Sequence, residues 1–282
     1  IIGRDGSENL TNDDGWLEFS FNRINYVYEN KKDKINDIAG IVSGSIKKSV
    51  TDVYHDSITL IERGNKVMVI ELDGLGYDML KSAISSNPEM FLAGLNIQNA
   101  TSVYPAISPV SLASMLTGVT PDIHGIKDRD NKNMLSEDIF ALLSKQGHSS
   151  KYIEGSVKLI NTHINPVLNI KGSDGTSDEN VFFSAMEAAG KYDFIFVHFH
   201  GIDDFGHSYG PYSMETKNKI YETDEYIRQL SSSFDGKIIL VSDHGMRQLE
   251  VIKSDYGKIG FHKNVSREEF IVPYLIFDAY LK

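Results

Sequence analysis

From Lys66 onward the chain alternates between two hydrophobic periods, and this alternation constrains its fold more than any other feature. Short β-rich runs recur as KVMVIEL (66–72), NIQNATSVY (96–104), HSSKYIE (148–154), DFIFVHFH (193–200), KIILVS (237–242) and PYLIFD (273–278). Between them lie stretches with helical spacing. MLSEDIFALLSKQG stops at Gly147, SDENVFFSAMEAAG has Ser177 as cap and Gly190 as stop, and SMETKNKIYETDEYIRQLSSSF carries apolar residues three and four apart. Strands that alternate with helices are joined by crossovers, so the sheet must be mostly parallel and covered on both faces. The expected fold is an α/β three-layer sandwich with a central, mostly parallel sheet. In such sheets functional groups collect at the carboxyl ends of the strands.

At 282 residues and 41% hydrophobic composition, the chain can bury one large core. No repeat, low-complexity tract or linker divides it, so residues 1–282 are expected to form a single domain, with 1–65 packed on it as an N-terminal segment. A helical pattern is expected over INDIAGIVSGSIKKSVTDVY (35–54). No apolar run approaches the roughly 20 residues of a membrane span. A formal charge of -11 argues against a nucleic-acid duplex or an anionic membrane as partner, and suits metal cations. The absence of cysteine removes disulfides, thiolate zinc sites and cysteine nucleophiles. The chain begins at Ile1 rather than Met, and it is expected to be soluble, either cytoplasmic or exported after loss of an upstream signal. Composition does not set its oligomeric state.

Four segments carry chemistry. In VIELDGLGYD an apolar strand ends at Asp73 beside Gly74, either as an ordinary Asp-Gly turn or as a carboxylate that can face a metal without crowding. GLGYDM lacks the third glycine of a dinucleotide fingerprint, and GIVSGSIKKS lacks the Gly-Lys-Ser/Thr of a phosphate loop. In AISPVSLASMLTG, Ser108 reads as an N-cap with Pro109 at the first helical position; the same helix start would stabilise an anion and a serine alkoxide. HFHGIDDFGHSYGP presents Asp203 and His207 four residues apart, a spacing that lets carboxylate and imidazole chelate one ion. His198 and His200 share one strand face and read first as satisfied core histidines, one of them a candidate to support a ligand. Asp204 reads as solvated or as an outer acceptor. IILVSDHGM delivers Asp243 and His244 from a strand end, with Gly245 making room, and GKIGFHKN supplies His262, which alone reads as readily as a surface residue.

Taken together in this order, Asp73, Ser108, Asp203 with His207, Asp243 with His244, and His262 resemble the alkaline phosphatase superfamily. Within it the likeness is to the type I phosphodiesterase/nucleotide pyrophosphatase branch. It covers roughly residues 66–278 and is sharpest at LDG, MLTGVTPDIHGI, DDFGHSYGP and SDHGM. The resemblance implies two divalent metal ions, zinc first and manganese as the alternative. One would be held by Asp73, Asp243, His244 and the Ser108 oxygen, the other by Asp203, His207 and His262. Ser108 then stands at the nucleophile position, and Ser111 stands where the phosphodiesterases carry an asparagine that holds a phosphoryl oxygen. A second departure is Lys263, since the family shows His-Gly where this chain has His262-Lys263. His124 in the DIHGI turn reads as structural.

The implied function is hydrolysis of a small-molecule phosphate ester, a phosphodiester or pyrophosphate, through a covalent phosphoryl-Ser108 intermediate. The alternatives are a phosphomonoesterase or phosphomutase of the same superfamily and a catalytically silent binding relative. The mutases carry a sizeable inserted domain, for which the stretch from Gly125 to Phe194 leaves little room. A sulfatase would need a C/S-x-P-x-R context that SPVSL lacks. Specificity is expected from loops between the motifs, especially 127–180, with NTHINP (161–166) near the entrance.

Overall fold

The computed structural model describes residues 16–21, 24–29, 46, 48–249, 258–263 and 266–279. Strands β1 (Trp16–Phe21) and β2 (Ile24–Glu29) pair antiparallel as a hairpin. An eight-stranded sheet is then built from β3 (Lys48–Ser49), β4 (Val67–Leu72), β5 (Gln98–Thr101), β6 (Ser150–Glu154), β7 (Val167–Leu168), β8 (Phe194–Phe199), β9 (Lys237–Val241) and β12 (Ile271–Asp278), in the order β3-β5-β12-β9-β4-β8-β6-β7. All neighbours run parallel except β12, which is antiparallel to both β5 and β9. The mostly parallel α/β sandwich read from the alternating pattern is the observed one.

Continuous apolar runs serve here because both faces of the sheet are covered. Val67, Val69, Phe194, Phe196, Ile239 and Val241 pack on one side beneath α1 (Asp52–Glu62), α3 (Ser108–Thr117) and α5 (Ile139–Lys145). Met68, Ile70, Leu72, Ile195, Val197 and Leu240 pack on the other against α2 (Tyr77–Ser86), α6 (Asp178–Ala188), α7 (Gly201–Tyr209) and α8 (Met214–Ser233). No helix among the described residues is long and apolar enough to cross a membrane.

Several boundaries differ from the sequence expectation. Of the helical pattern at 35–54, residues 35–45 and 47 lie outside the described residues; its remainder holds β3 and only the start of α1. Helix α5 begins at Ile139 rather than near Met134, because Asp138 accepts the Ala141 N–H and fixes the first turn there. Ser213 caps α8 by accepting from Thr216 N, whereas Ser177 occupies the cap of α6 without a side-chain capping bond. The cap of α3 is Ile107, in extended conformation, so Ser108 is the first helical residue and Pro109 the second. The reason is visible in the side chain: the Ser108 hydroxyl turns away from the helix and donates to Asp73.

Candidate active site

Asp73 follows β4, Asp243 and His244 follow β9, and α3 lays its N-terminus across these adjacent parallel strand ends. Ser108 Oγ lies 3.2 Å from Asp73 Oδ1 and 3.5 Å from His244 Nε2. His244 Nε2 is 3.5 Å from Asp73 Oδ1 and 3.2 Å from Asp243 Oδ2. The second cluster sits on α7, where the four-residue spacing puts Asp203 and His207 on one face. His207 Nε2 is 3.4 Å from Asp203 Oδ2 and 3.2 Å from His262 Nε2. His262 arrives through the hairpin of β10 (Arg247–Gln248) and β11 (Gly260–Phe261), and its Nε2 is 3.7 Å from Asp203 Oδ1. Gly74 lets the clusters approach: its φ is +76°, and a Cβ there would lie 2.9 Å from the Asp203 carboxylate.

The imidazoles are oriented for cations. His207 Nδ1 faces the Gly260 carbonyl, His262 Nδ1 the Ala106 carbonyl, both at 2.8 Å, and His244 Nδ1 the Gly245 carbonyl at 3.0 Å. A carbonyl only accepts, so each Nδ1 carries the proton and each Nε2 offers a lone pair to the centre. Burial pushes the His262 pKa down to about 2 and also lowers His207, which keeps both neutral. Asp203 Oδ1 and Asp243 Oδ2 are buried without a hydrogen-bond partner. Burial, with neighbouring carboxylates, raises Asp203 to about 8 and Asp243 well above the usual range. Burial would raise Asp73 too, but the His198 and His200 imidazoles outweigh it and hold its pKa well below normal. Two ligands on one tetrahedral ion with bonds of about 2.1 Å stand about 3.4 Å apart, and the cluster spacings match that. Orphaned oxygens, converging lone pairs and mixed oxygen-nitrogen donors therefore fit two cations, one at each group of residues.

The other singled-out residues fall as follows. Ser111 is one turn along α3, wholly buried, with its hydroxyl 3.2 Å from Ser102 Oγ. His124 is structural, bonded through Nε2 to Ser114 Oγ and through Nδ1 to Ile126 N. Asp204 is half-buried beside Lys171 at 3.4 Å. Residues 161–166 pack along 133–138, with Asn161 Nδ2 donating to Asn133 and His163 N to Asp138. A groove of about 200 Å³ reaching His200 is lined by Ser156, Val157, Leu159, Lys171, Ser177 and Asp204. Lys263 has φ +118°, the left-handed region that favours glycine.

Sequence reasoning passed over Glu71 and Glu154; of the two histidines it read as satisfied, His200 bonds through both ring nitrogens and His198 through Nδ1 alone. Glu71 and His198 are register partners on β4 and β8, with Glu154 beside them on β6. His198 Nε2 and both Glu71 oxygens have no hydrogen-bond partner. The available signal was Glu71 inside the otherwise apolar run VMVIEL; Glu154 closes SKYIE, which already carries Ser150 and Lys151 and so gave none.

Residues 67–259 match the family model for type I phosphodiesterase/nucleotide pyrophosphatase, and His262 lies just beyond the match. Murine ectonucleotide pyrophosphatase/phosphodiesterase 5 superposes with a TM-score of 0.58 at 15% identity, over 74% of this chain and 87% of that one. Phosphonoacetate hydrolase from Sinorhizobium meliloti superposes at 0.52 with 17% identity, over 65% and 57%. Among curated proteins, GPI ethanolamine phosphate transferase 2 of Kluyveromyces lactis is 26% identical over 215 residues, which are 65% of this chain and 26% of that protein. The catalytic subunit of human GPI ethanolamine phosphate transferase 3 is 31% identical over 86 residues, 29% of this chain and 8% of that protein. The chain thus spans about a quarter or less of the length of these two relatives. By a family match that covers more than half of its residues, the chain belongs to the type I phosphodiesterase/nucleotide pyrophosphatase family.

Proposed function

We propose that this chain cleaves phosphodiester or pyrophosphate bonds of small molecules by phosphoryl transfer through Ser108. The observation that carries the reading is Ser108 Oγ at a helix N-terminus, 3.2 Å from Asp73 and 3.5 Å from His244, with the Asp203–His207–His262 cluster across Gly74. Two divalent cations, zinc or manganese, held by Asp73, Asp243, His244 and Ser108 and by Asp203, His207 and His262, would supply positive charge that acidifies the hydroxyl and offsets the phosphate. Ser108 Oγ attacks phosphorus in line, forming the Oγ–P bond as the bond to the leaving oxygen breaks. Its proton is already directed at Asp73 Oδ1. Pro109 has no N–H, and those of Val110 and Ser111 bond the Ile107 carbonyl, so the Ser108 N–H is the first-turn donor of α3 left for a phosphoryl oxygen. Ser111 stands on the same face one turn on, and a rotamer change from Ser102 would aim its hydroxyl at one of those oxygens. Water then attacks the phosphoryl-serine and releases Ser108 with its proton restored.

The acceptor defines a second reading, favoured by the curated relatives, whose names are those of transferases. An alcohol in place of water would make the same intermediate a transfer step. A panel of aryl phosphate mono- and diesters, with zinc, manganese or EDTA and with or without an added amino alcohol, separates these readings. Diester cleavage that needs metal and Ser108 is expected. Metal-loaded protein that turns over neither ester class would refute the proposal in favour of a silent binding relative.

A further inference from the structure

Behind Asp73, away from Ser108, the described residues hold a third convergent group that the proposed chemistry does not use. It forms where three parallel strands place side chains in rows on the sheet face covered by α3. Glu71 of β4 lies opposite His198 of β8, with Glu154 of β6 on the far side; two residues on, Asp73 and His200 repeat the pattern at the strand ends.

One carboxylate orients both histidines. Glu154 Oε2 faces His198 Nδ1 at 3.2 Å, and Glu154 Oε1 contacts His200 Nε2. A carboxylate only accepts, so those two nitrogens carry the protons. By the same rule His200 Nδ1, 3.0 Å from Asp73 Oδ2, donates to it, a proton that a cation would displace, while His198 Nε2 stands 3.6 Å from the same oxygen and bonds to nothing. His198 Nε2 is also 3.6 Å from Glu71 Oε1. Those 3.6 Å separations are too long for hydrogen bonds, yet match two ligands of one ion. Glu71 and His198 are wholly buried, and Glu71 Oε1, Glu71 Oε2 and His198 Nε2 have no hydrogen-bond partner. Glu71, Asp73 and Glu154 bring three carboxyl groups around two imidazoles in the interior, and a divalent cation can take the place of the imidazole protons that otherwise offset them.

We propose that Glu71, Asp73, His198 and His200 form a third cation site, with Glu154 orienting both imidazoles. The site rests on reading Asp73 as a ligand of the front cluster: Oδ1 faces Ser108 and His244, Oδ2 faces the rear histidines, and the carboxylate bridges the two. Two nitrogens and two carboxylates suit zinc or manganese and disfavour magnesium or calcium. An ion there fixes the Asp73 carboxylate from behind.

The test is metal stoichiometry, which does not depend on turnover. Protein stripped and reloaded with zinc, then desalted, is analysed by elemental mass spectrometry as wild type, Glu71→Gln, His198→Gln and His207→Gln. Three equivalents are expected for wild type; Glu71→Gln and His198→Gln should fall to two while keeping the front pair, and His207→Gln should keep the rear ion. Cobalt titration of the unsubstituted protein, followed by its visible absorption, gives the same count without relying on the folding of any variant. Two equivalents in wild type, unchanged in Glu71→Gln and His198→Gln, would overturn the rear site and leave the two-metal reading standing. No bound metal in wild type would overturn both.

Discussion

Replacing Asp203 by asparagine should stabilise the metal-free protein and weaken the metal-loaded one. The side chain is 13% exposed, its Oδ1 has no hydrogen-bond partner, and its Oδ2 faces a lone pair on His207 Nε2 at 3.4 Å. Without a cation, burial and the Asp73 and Asp243 carboxylates raise its pKa from 3.8 to about 8. A carboxylate whose pKa is higher in the folded state makes the unfolded chain the better acid. The resulting cost is absent below about pH 4 and grows as pH rises towards 8. At pH 7 about three units of that interval have been crossed, each worth about 1.4 kcal/mol, so the cost reaches about 4 kcal/mol. Asparagine keeps the shape and has no charge to desolvate. In EDTA at pH 7 the variant should therefore be roughly 2–4 kcal/mol more stable in urea denaturation, with the difference shrinking at pH 5. Saturating zinc should reverse the order, because a ligand at a thousand times its Kd adds about 4 kcal/mol to a protein that can bind it. Wild type as stable as Asp203→Asn in EDTA at pH 7 would refute the claim that an uncompensated carboxylate is held there for a metal.

Ser108→Ala should lower diester turnover by at least about 10³-fold while metal remains detectable by elemental analysis, and activity surviving this change removes Ser108 as nucleophile. Lys263→Gly should raise stability by about 1 kcal/mol, because the backbone at φ +118° penalises any side chain; an unchanged or lower urea midpoint would contradict that strain. Burial lowers His124 to about 4, so it stays neutral in the fold and charges more readily when unfolded. Stability should therefore fall by up to about 3 kcal/mol as pH drops from 6.5 to 4, and a His124→Gln variant with the same pH slope in chemical denaturation would rule His124 out as its source.

The front cluster was legible because the residues proposed as its ligands lie in short motifs at strand ends, where Asp73-Gly74, Asp203 with His207, and Asp243-His244-Gly245 need only local chain geometry. Lys263 shows a different kind of legibility. The departure from His-Gly was visible in the sequence, and the structure gives its physical content as a positive φ at that position. Ser108 was found as a residue but misplaced as a cap, because its turn towards Asp73 depends on α3 lying across β4, a long-range fact.

Glu71 and Glu154 were harder because a strand's alternation tells which face a side chain takes but not which strand lies beside it. Their meeting with His198 depends on the β4-β8-β6 order, assembled from segments at 67–72, 194–199 and 150–154. Energetics would have narrowed the choice even without that order. A strand buried on both faces tolerates an acidic side chain only if a partner offsets its charge. Glu71 stands two residues before Asp73, and His198 two before His200. Two parallel strands that each carry two such residues at a spacing of two can bring all four together on one face, provided that the strands are neighbours. A buried charge within a strand thus reports on the adjacent strand as well as on its own, and here it points to the side of Asp73 that faces away from Ser108.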